Sequence, residues 1–350
     1  MAPSKVYFTN MRTTLEENLL QKLERLCREA GMDRIDFHNK YAAIKIHFGE
    51  PGNLAFLRPN YAKVVADLVK KLGGRPFLTD CNTLYVGRRK NALDHLDAAY
   101  ENGYNPFSTG CHVIIADGLK GTDEALVPID GEYVREAKIG QAVMDADVVI
   151  SLTHFKCHEA TGIGGALKNI GMGCGSRAGK MEMHSSGKPY VEEARCISCG
   201  SCRKNCAHGA ISFVEKKARI DHSRCVGCGR CIGVCPADKI AEYSLAVLQG
   251  RPHFHISLVI DVSPFCDCHA ENDAAIIPDV GMFASFDPVA LDMACTDMAN
   301  RQPALPGSHL DGREDGDHFC AAHPTTDWKG TLLHAEKIGL GSTEYELIEI

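Results

Sequence analysis

The sequence contains no run of about 18 apolar residues, the length that would span a bilayer. Its opening, MAPSKVYFTNMRTT, lacks the apolar centre of a secretion signal. Nor does it carry a long block of one charge: 38 Lys and Arg stand against 45 Asp and Glu, a net −7 dispersed along 350 residues. A nucleic-acid surface wants a concentrated basic patch, and none is evident. These absences point away from membrane and nucleic acid as partners and towards a cytoplasmic protein. With 45% hydrophobic residues the chain can bury a sizeable core, as two domains or as one domain with an insertion. What it has in quantity is cysteine. Seventeen in a chain without a secretion signal indicate metal or redox duty rather than a disulfide framework.

Hydrophobic spacing divides the first half into alternating elements. Leu15, Leu19, Leu23, Leu26 and Ala30 recur at helical intervals, with Thr13 and Thr14 placed to cap and Gly31 as the stop. A strand is expected at 42–48, a helix at 59–73, a strand at 75–80, a helix at 91–100 and a strand at 112–117. A helix at 138–144 and a strand at 147–152 follow. Beyond a cysteine-rich block, 253–261 reads as a strand and 287–300 as a helix with Pro288 in its first turn. Runs such as VIIAD and VVISL are apolar on both faces, as in a parallel sheet covered by helices. The expected fold is therefore α/β, a predominantly parallel sheet with covering helices, interrupted by a small cysteine module. The divisions fall at 1–188, 189–243 and 244–350, the first and last forming one sheet.

The module repeats internally. Cys196, Cys199, Cys202 and Cys206 follow C-x2-C-x2-C-x3-C, and Cys225, Cys228, Cys231 and Cys235 repeat the pattern 29 residues later. This is the run of bacterial two-cluster ferredoxins, in which each fourth Cys ligates the other cluster. It assigns one [4Fe–4S] cluster to Cys196, Cys199, Cys202 and Cys235, and a second to Cys225, Cys228, Cys231 and Cys206. Three thiolates on a tight loop grip three irons, and the remote fourth closes the cage. Gly200, Ser201, Gly227 and Gly229 let backbone N–H groups approach the sulfurs. Zinc sites instead use two separated C-x2-C pairs. The first run has Ala207 where the second has Pro236, a departure that removes no ligand.

Ahead of the module stands HFKCHEATGIGGALKNIGMGCGSRAGKMEMHS, residues 154–185, and after it SPFCDCHAENDAAIIPDVGMFASFDPVALDMA. With AIKIHFGEPGN, FLTDCNTLYVGRR and HVIIADGLKG, these segments resemble the DUF362 family of iron–sulfur centre proteins over nearly the whole chain, with a departure at Cys81. The family name records an uncharacterised activity, so the resemblance implies architecture more than function. HEATGIGGALK, followed by His184, is also similar over about 30 residues to the H-x3-G-x2-GG-x2-K pattern of the nickel-pincer-dependent lactate racemases. That second resemblance implies His158 as an acid/base, Lys168 as the residue that holds the cofactor and His184 as a metal ligand.

Read from the residues alone, Gly162, Gly164 and Gly165 permit a turn that cradles an anion before a helix at 166–170, with Lys168 supplying charge. Equally, they permit only tight chain packing. Cys266 and Cys268 follow a strand, where α/β proteins place ligands, and a C-x-C pair suits a soft metal, alone or with Cys174, His184 or His269. Asp267, Asp279 and Asp287 are candidates to orient ligands, Asp287 equally to cap a helix. His47, His318 and Cys320 are candidate pocket residues, whereas Cys27, Cys111 and Cys295 read as buried thiols. The expected function is electron transfer through two [4Fe–4S] clusters, between redox partner proteins or into a pocket of the α/β domain. The alternative is an iron–sulfur-dependent oxidoreductase with a small-molecule ligand and a further metal or nickel-pincer-like cofactor at His158, Lys168 and His184. A third is an adaptor or assembly protein whose clusters maintain structure or deliver metal. No motif addresses oligomeric state.

Overall fold

Every residue from Val148 to His154 is buried, as VVISL requires of a strand in the middle of a covered sheet. A computed structural model describes residues 3–84, 87–184, 191, 193, 196–204, 206, 208–225, 239–313 and 316–350. Its central sheet contains β1 (Ser4–Asn10), β2 (Tyr41–Lys45), β3 (Arg75–Asp80), β4 (His112–Ile115), β5 (Val148–His154), β6 (His253–Val259), β7 (Gly281–Ser285) and β8 (Tyr345–Glu349). The order across the sheet is β8-β1-β7-β6-β5-β2-β3-β4. Only β7 opposes its neighbours; every other pairing is parallel. The expected α/β fold with a mainly parallel sheet is what forms, and β6 beside β5 joins the two flanks of the cysteine module in one sheet.

Helices cover both faces: α1 (Leu19–Glu29), α2 (Pro59–Lys71), α3 (Ala92–Glu101), α4 (Ala166–Cys174), α5 (Arg177–His184), α6 (Ile240–Leu248), α7 (Pro288–Asn300) and α8 (Trp328–Lys337). Leu23, Leu26, Val65 and Leu68 of α1 and α2 pack with Ile44, Ile150 and Ile256. Across the sheet, Leu167, Leu291 and Leu332 gather around Phe283 and Val259, and Ile170, Tyr243 and Val247 around Val149. Neighbours alternate between these clusters because strand side chains alternate between faces. Each fully buried aliphatic side chain contributes roughly 1.5–3 kcal/mol to holding the layers together.

Three local expectations are corrected. The segment expected to be helical at 138–144 is a strand over Glu136–Gly140, paired antiparallel with Glu124–Pro128, and only Gln141–Met144 is helical. Ala137 and Ile139 point inward there while Glu136 faces solvent, a period of two that a short window disguises. Helix α1 begins later than expected, capped by Asn18 with Gln21 closing a capping box; Leu15 is fully exposed and Thr14 Oγ1 instead caps a preceding turn. Finally, the module boundary expected at 243 falls inside α6, whose Ser244 hydroxyl donates to the Leu167 carbonyl of α4.

The entry to α4 is tightly specified. Asp292 of α7 accepts hydrogen bonds from the backbone N–H groups of Ala166 (2.6 Å) and Leu167 (2.9 Å), capping α4 from another helix. A Cβ on Gly165 would lie 2.3 Å from Asp292 Oδ1. Its φ of −103° suits any residue, so the requirement for glycine is steric. Gly165→Ala is expected to destabilise the protein by about 1–3 kcal/mol through overpacking, measured by urea unfolding; an unchanged midpoint would show that α4 is not held by this contact.

Candidate functional site

Strands β2 and β5 lie side by side, and successive strands depart from them in opposite directions, β3 and β4 one way and β6 the other. At such a switch point the loops leaving the strand ends part and open a crevice. A cavity of about 140 Å³ lies here, walled by Lys45 and His47 beyond β2, Asp80 at the end of β3, and Lys156 and His158 beyond β5. Lys168, His184, Cys266 and Cys268 complete the wall.

The C-x-C segment reaches the cavity on a turn closed by the His269 N–H donating to the Cys266 carbonyl at 3.0 Å. Asp267, fully buried between the cysteines, accepts from His154 Nδ1 at 2.9 Å and lies 3.2 Å from Lys156 Nζ. Burial pushes its carboxyl up, but His154 and Lys156 overcome this and hold it well below the usual carboxylate range. The backbone is tied as firmly. Cys266 N–H donates to Glu159, Glu50 N–H to the Asp267 carbonyl, Arg89 to the Cys268 carbonyl and Asn53 to the His269 carbonyl.

Atoms of His158, Cys266 and Cys268 lie within 4.8 Å of one another, a donor set of the kind that holds soft metals. Cys266 is held well below the usual thiol range: the Cys268 thiol hydrogen-bonds to it and, against burial, Lys168 and Lys156 favour the thiolate. The same bond and burial push Cys268 up. Lys168 is pushed down by burial but raised further by the two cysteines and Glu159. His158 Nδ1 accepts from the N–H groups of Ala160 (3.0 Å) and Thr161 (3.3 Å), and burial lowers its pKa. His184 faces the same cavity, pushed down to about 4 by burial and then by Lys168.

The same wall carries a second buried ion-pair group. Lys45 Nζ sits 3.0 Å from Asp80 and donates to Asn169 Oδ1 at 2.8 Å, while Asn169 Nδ2 donates to the Lys45 and Leu152 carbonyls. Arg89 donates to Glu50 at 2.8 Å and faces His47 Nε2 at 2.8 Å. Burial raises the Asp80 carboxyl, but Lys45, His95 and His47 hold it well below its ordinary range. A Cβ on Gly173 would lie 2.4 Å from Lys45 Cε, so glycine there admits the lysine stem.

Of the expected site residues, His158, Lys168, His184, Cys266, Cys268 and His47 share this cavity. Cys174 does not: its buried thiol packs in the apolar cluster with Val149 and Ile170, and burial pushes it up to about 11. The anion cradle expected at the start of α4 is already filled, because Asp292 takes the first two N–H groups. Asp279 instead receives the Asp261 N–H, Asp287 caps α7, and His318 faces the Gln302 carbonyl. Cys27, Cys111 and Cys295 are buried in the core, as expected. The expectations for Cys228, Cys231 and Cys235 lie outside the described residues. Lys45, Asp80, Arg89, His154, Lys156 and Glu159 escaped the sequence reading, although a charge inside AAIKIHF and another closing FLTD are signals of buried pairing.

An α/β protein with a charged, thiol-bearing cavity at its switch point is thus defined. The chain belongs to the family described as Domain of unknown function (DUF362), whose model matches residues 42–297. A thylakoid-associated protein of Synechocystis is 28% identical over 157 residues, covering 42% of this chain. The chain spans only 44% of that relative's length. Among solved structures, the lactate racemase apoprotein of Thermoanaerobacterium thermosaccharolyticum is similar at a TM-score of 0.38 and 12% identity, covering 73% of this chain and 51% of its own. A Thermotoga maritima protein is similar at 0.45 and 13%, covering 82% and 59%. No helix among the described residues is long and apolar enough to cross a membrane.

Two outcomes follow for the buried charges. Asp267→Asn strands Lys156 and His154 without their counter-charge and is expected to cost about 3–5 kcal/mol in denaturant unfolding; a loss under about 1 kcal/mol would mean that the pair is solvated. Burial pushes His95 down to about 3 against the pull of Asp80. Below pH of about 6.5 the unfolded chain therefore gains a proton that the native ring refuses, and stability falls as pH drops from there towards 3. In His95→Gln the decline between pH 6.5 and 4 should be shallower, by up to about 1.4 kcal/mol per pH unit; an identical slope would contradict the assignment.

Proposed function

We propose that this is an iron–sulfur electron-transfer protein, in which a redox partner protein supplies electrons and the switch-point cavity receives them. The observation that carries the reading is the doubled C-x2-C-x2-C-x3-C run set between two flanks of one sheet. Two sulfurs of the doubled run accept backbone N–H groups, an arrangement that supports a cluster thiolate. Cys196 Sγ accepts the Ala218 N–H at 3.4 Å and Cys206 Sγ accepts the Ala210 N–H at 3.3 Å. Those donors belong to or adjoin the hairpin of Ile211–Val214 with Lys217–Ile220, and backbone N–H donation from Ala218, then from Ser198, lowers the Cys196 pKa towards the thiolate a metal needs. N–H donation to sulfur also sets the potential of a bound cluster.

The clusters, when bound, supply one-electron chemistry at low potential. The chain's own residues do the rest. The hairpin presents N–H groups to the sulfurs, while the cavity offers an end point lined by thiolate, imidazole and ammonium groups. The convergence of His158, Lys168, His184, Cys266 and Cys268 on one wall supports the cavity rather than a partner surface alone as the destination.

Anaerobically purified protein is expected to contain about eight iron and eight sulfide per chain and to give a cluster spectrum that low-potential reductant bleaches. Cys196→Ser and Cys206→Ser should each lose iron while retaining the far-ultraviolet circular dichroism of the α/β sheet. Stoichiometric zinc in place of iron, or clusters that no low-potential donor reduces, would overturn the proposal.

A further inference from the structure

We infer that Cys266 and Cys268 form a dithiol/disulfide couple, a two-electron redox site on the cavity wall. The turn closed by the His269 N–H on the Cys266 carbonyl draws these two residues closer than an extended strand would. Their sulfurs belong to the group of atoms within 4.8 Å. Four loops or side chains, from Glu50, Asn53, Arg89 and Glu159, fix the backbone of the turn, and Asp267 anchors it from behind. Both thiols are therefore held facing each other while the residue between them points away.

The hydrogen bonds of His158 separate this reading from a metal site. With two backbone N–H groups donating to Nδ1, the ring proton resides on Nε2. A metal bound through Nε2 would have to displace that proton and leave an imidazolate. Histidine ligands ordinarily keep a proton on the far nitrogen and donate it to an acceptor, and here the far nitrogen meets donors. His158 is suited instead to donate from Nε2 to a neighbouring thiolate. Cys266 is buried while Cys268 is partly open to the cavity, so one sulfur is shielded and the other reachable.

In the oxidising direction a small-molecule disulfide is the acceptor: by exchange the Cys266 thiolate and the Cys268 thiol join in one S–S bond, and the acceptor's S–S bond takes the two electrons and the Cys268 proton and leaves as thiolate and thiol. In the reducing direction that bond accepts two electrons and one proton and returns thiolate and thiol. The electron source rests on the proposed function: two reduced [4Fe–4S] clusters, each giving one electron, match the two-electron demand.

The test is differential alkylation of the full chain, poised anaerobically over a series of dithiothreitol ratios, acid-quenched, denatured and mapped by mass spectrometry. The peptide carrying both cysteines should lose two alkylation sites and about 2 Da together, with the oxidised-to-reduced ratio changing tenfold per about 30 mV. Cys266→Ser and Cys268→Ser should each abolish the transition and leave the iron content unchanged. Full alkylation of both cysteines at every potential would overturn the couple, as would one metal equivalent lost in Cys266→Ser. A two-electron transition in protein without iron would uphold the couple while overturning the cluster reading. Intact, reducible clusters beside a permanently reduced C-x-C would overturn the couple alone.

Discussion

One buried carboxylate organises the site. Asp267 stands between two cysteines, and its paired charges, His154 at the end of β5 and Lys156 just beyond it, precede the cysteine module, while its own segment follows that module. The ion pair therefore ties two regions more than 100 residues apart in sequence. A carboxylate fully removed from water is costly unless its lone pairs are met. The surrounding sequence supplies His154, Lys156 and, at 3.9 Å, His47. That set holds the C-x-C turn over the ends of β2 and β5 from its side-chain face, alongside the backbone contacts of Glu50, Asn53, Arg89 and Glu159.

The sheet makes the arrangement possible. With β2 and β5 adjacent and chain direction diverging on either side, loops from β2, β3, β5 and β6 all open at one place. Glycines at 165 and 173 then let an aspartate and a lysine stem pass where any side chain would collide. The cavity is cationic in its lining, yet most of those cations already have partners: Lys45 with Asp80, Lys156 with Asp267, Arg89 with Glu50. Lys168 faces the cysteine pair, whose thiolate it favours. The charge balance of the cavity thus depends on the state of its sulfurs.

Much of the fold was legible because its strands are apolar on both faces and its helices carry clear stops. Arg75–Asp80 and the helix at Pro288 were placed almost to the residue. Strands β1, β7 and β8 are not legible in the sequence, because their pairing is set by distant segments. The error at 138–144 has another root: five residues cannot distinguish a period of two from 3.6 when a helical turn follows directly. For the site, residue types with unmistakable chemistry, Cys266, Cys268, His158 and Lys168, stood out. Asp80, Lys45 and Arg89 did not, because a buried ion pair is a property of two positions and the sequence displays only one at a time. Cys174 misled for the converse reason; its chemistry fits a metal, but its place on α4 turns the thiol into the core.

Asp267 links the segments on either side of the cysteine module through a buried pair with Lys156. A double-mutant cycle of Asp267→Asn and Lys156→Met, followed by denaturant unfolding, measures that link directly. A coupling energy of about 1–3 kcal/mol is predicted. Additive losses, within about 0.5 kcal/mol of the sum of the single variants, would contradict it.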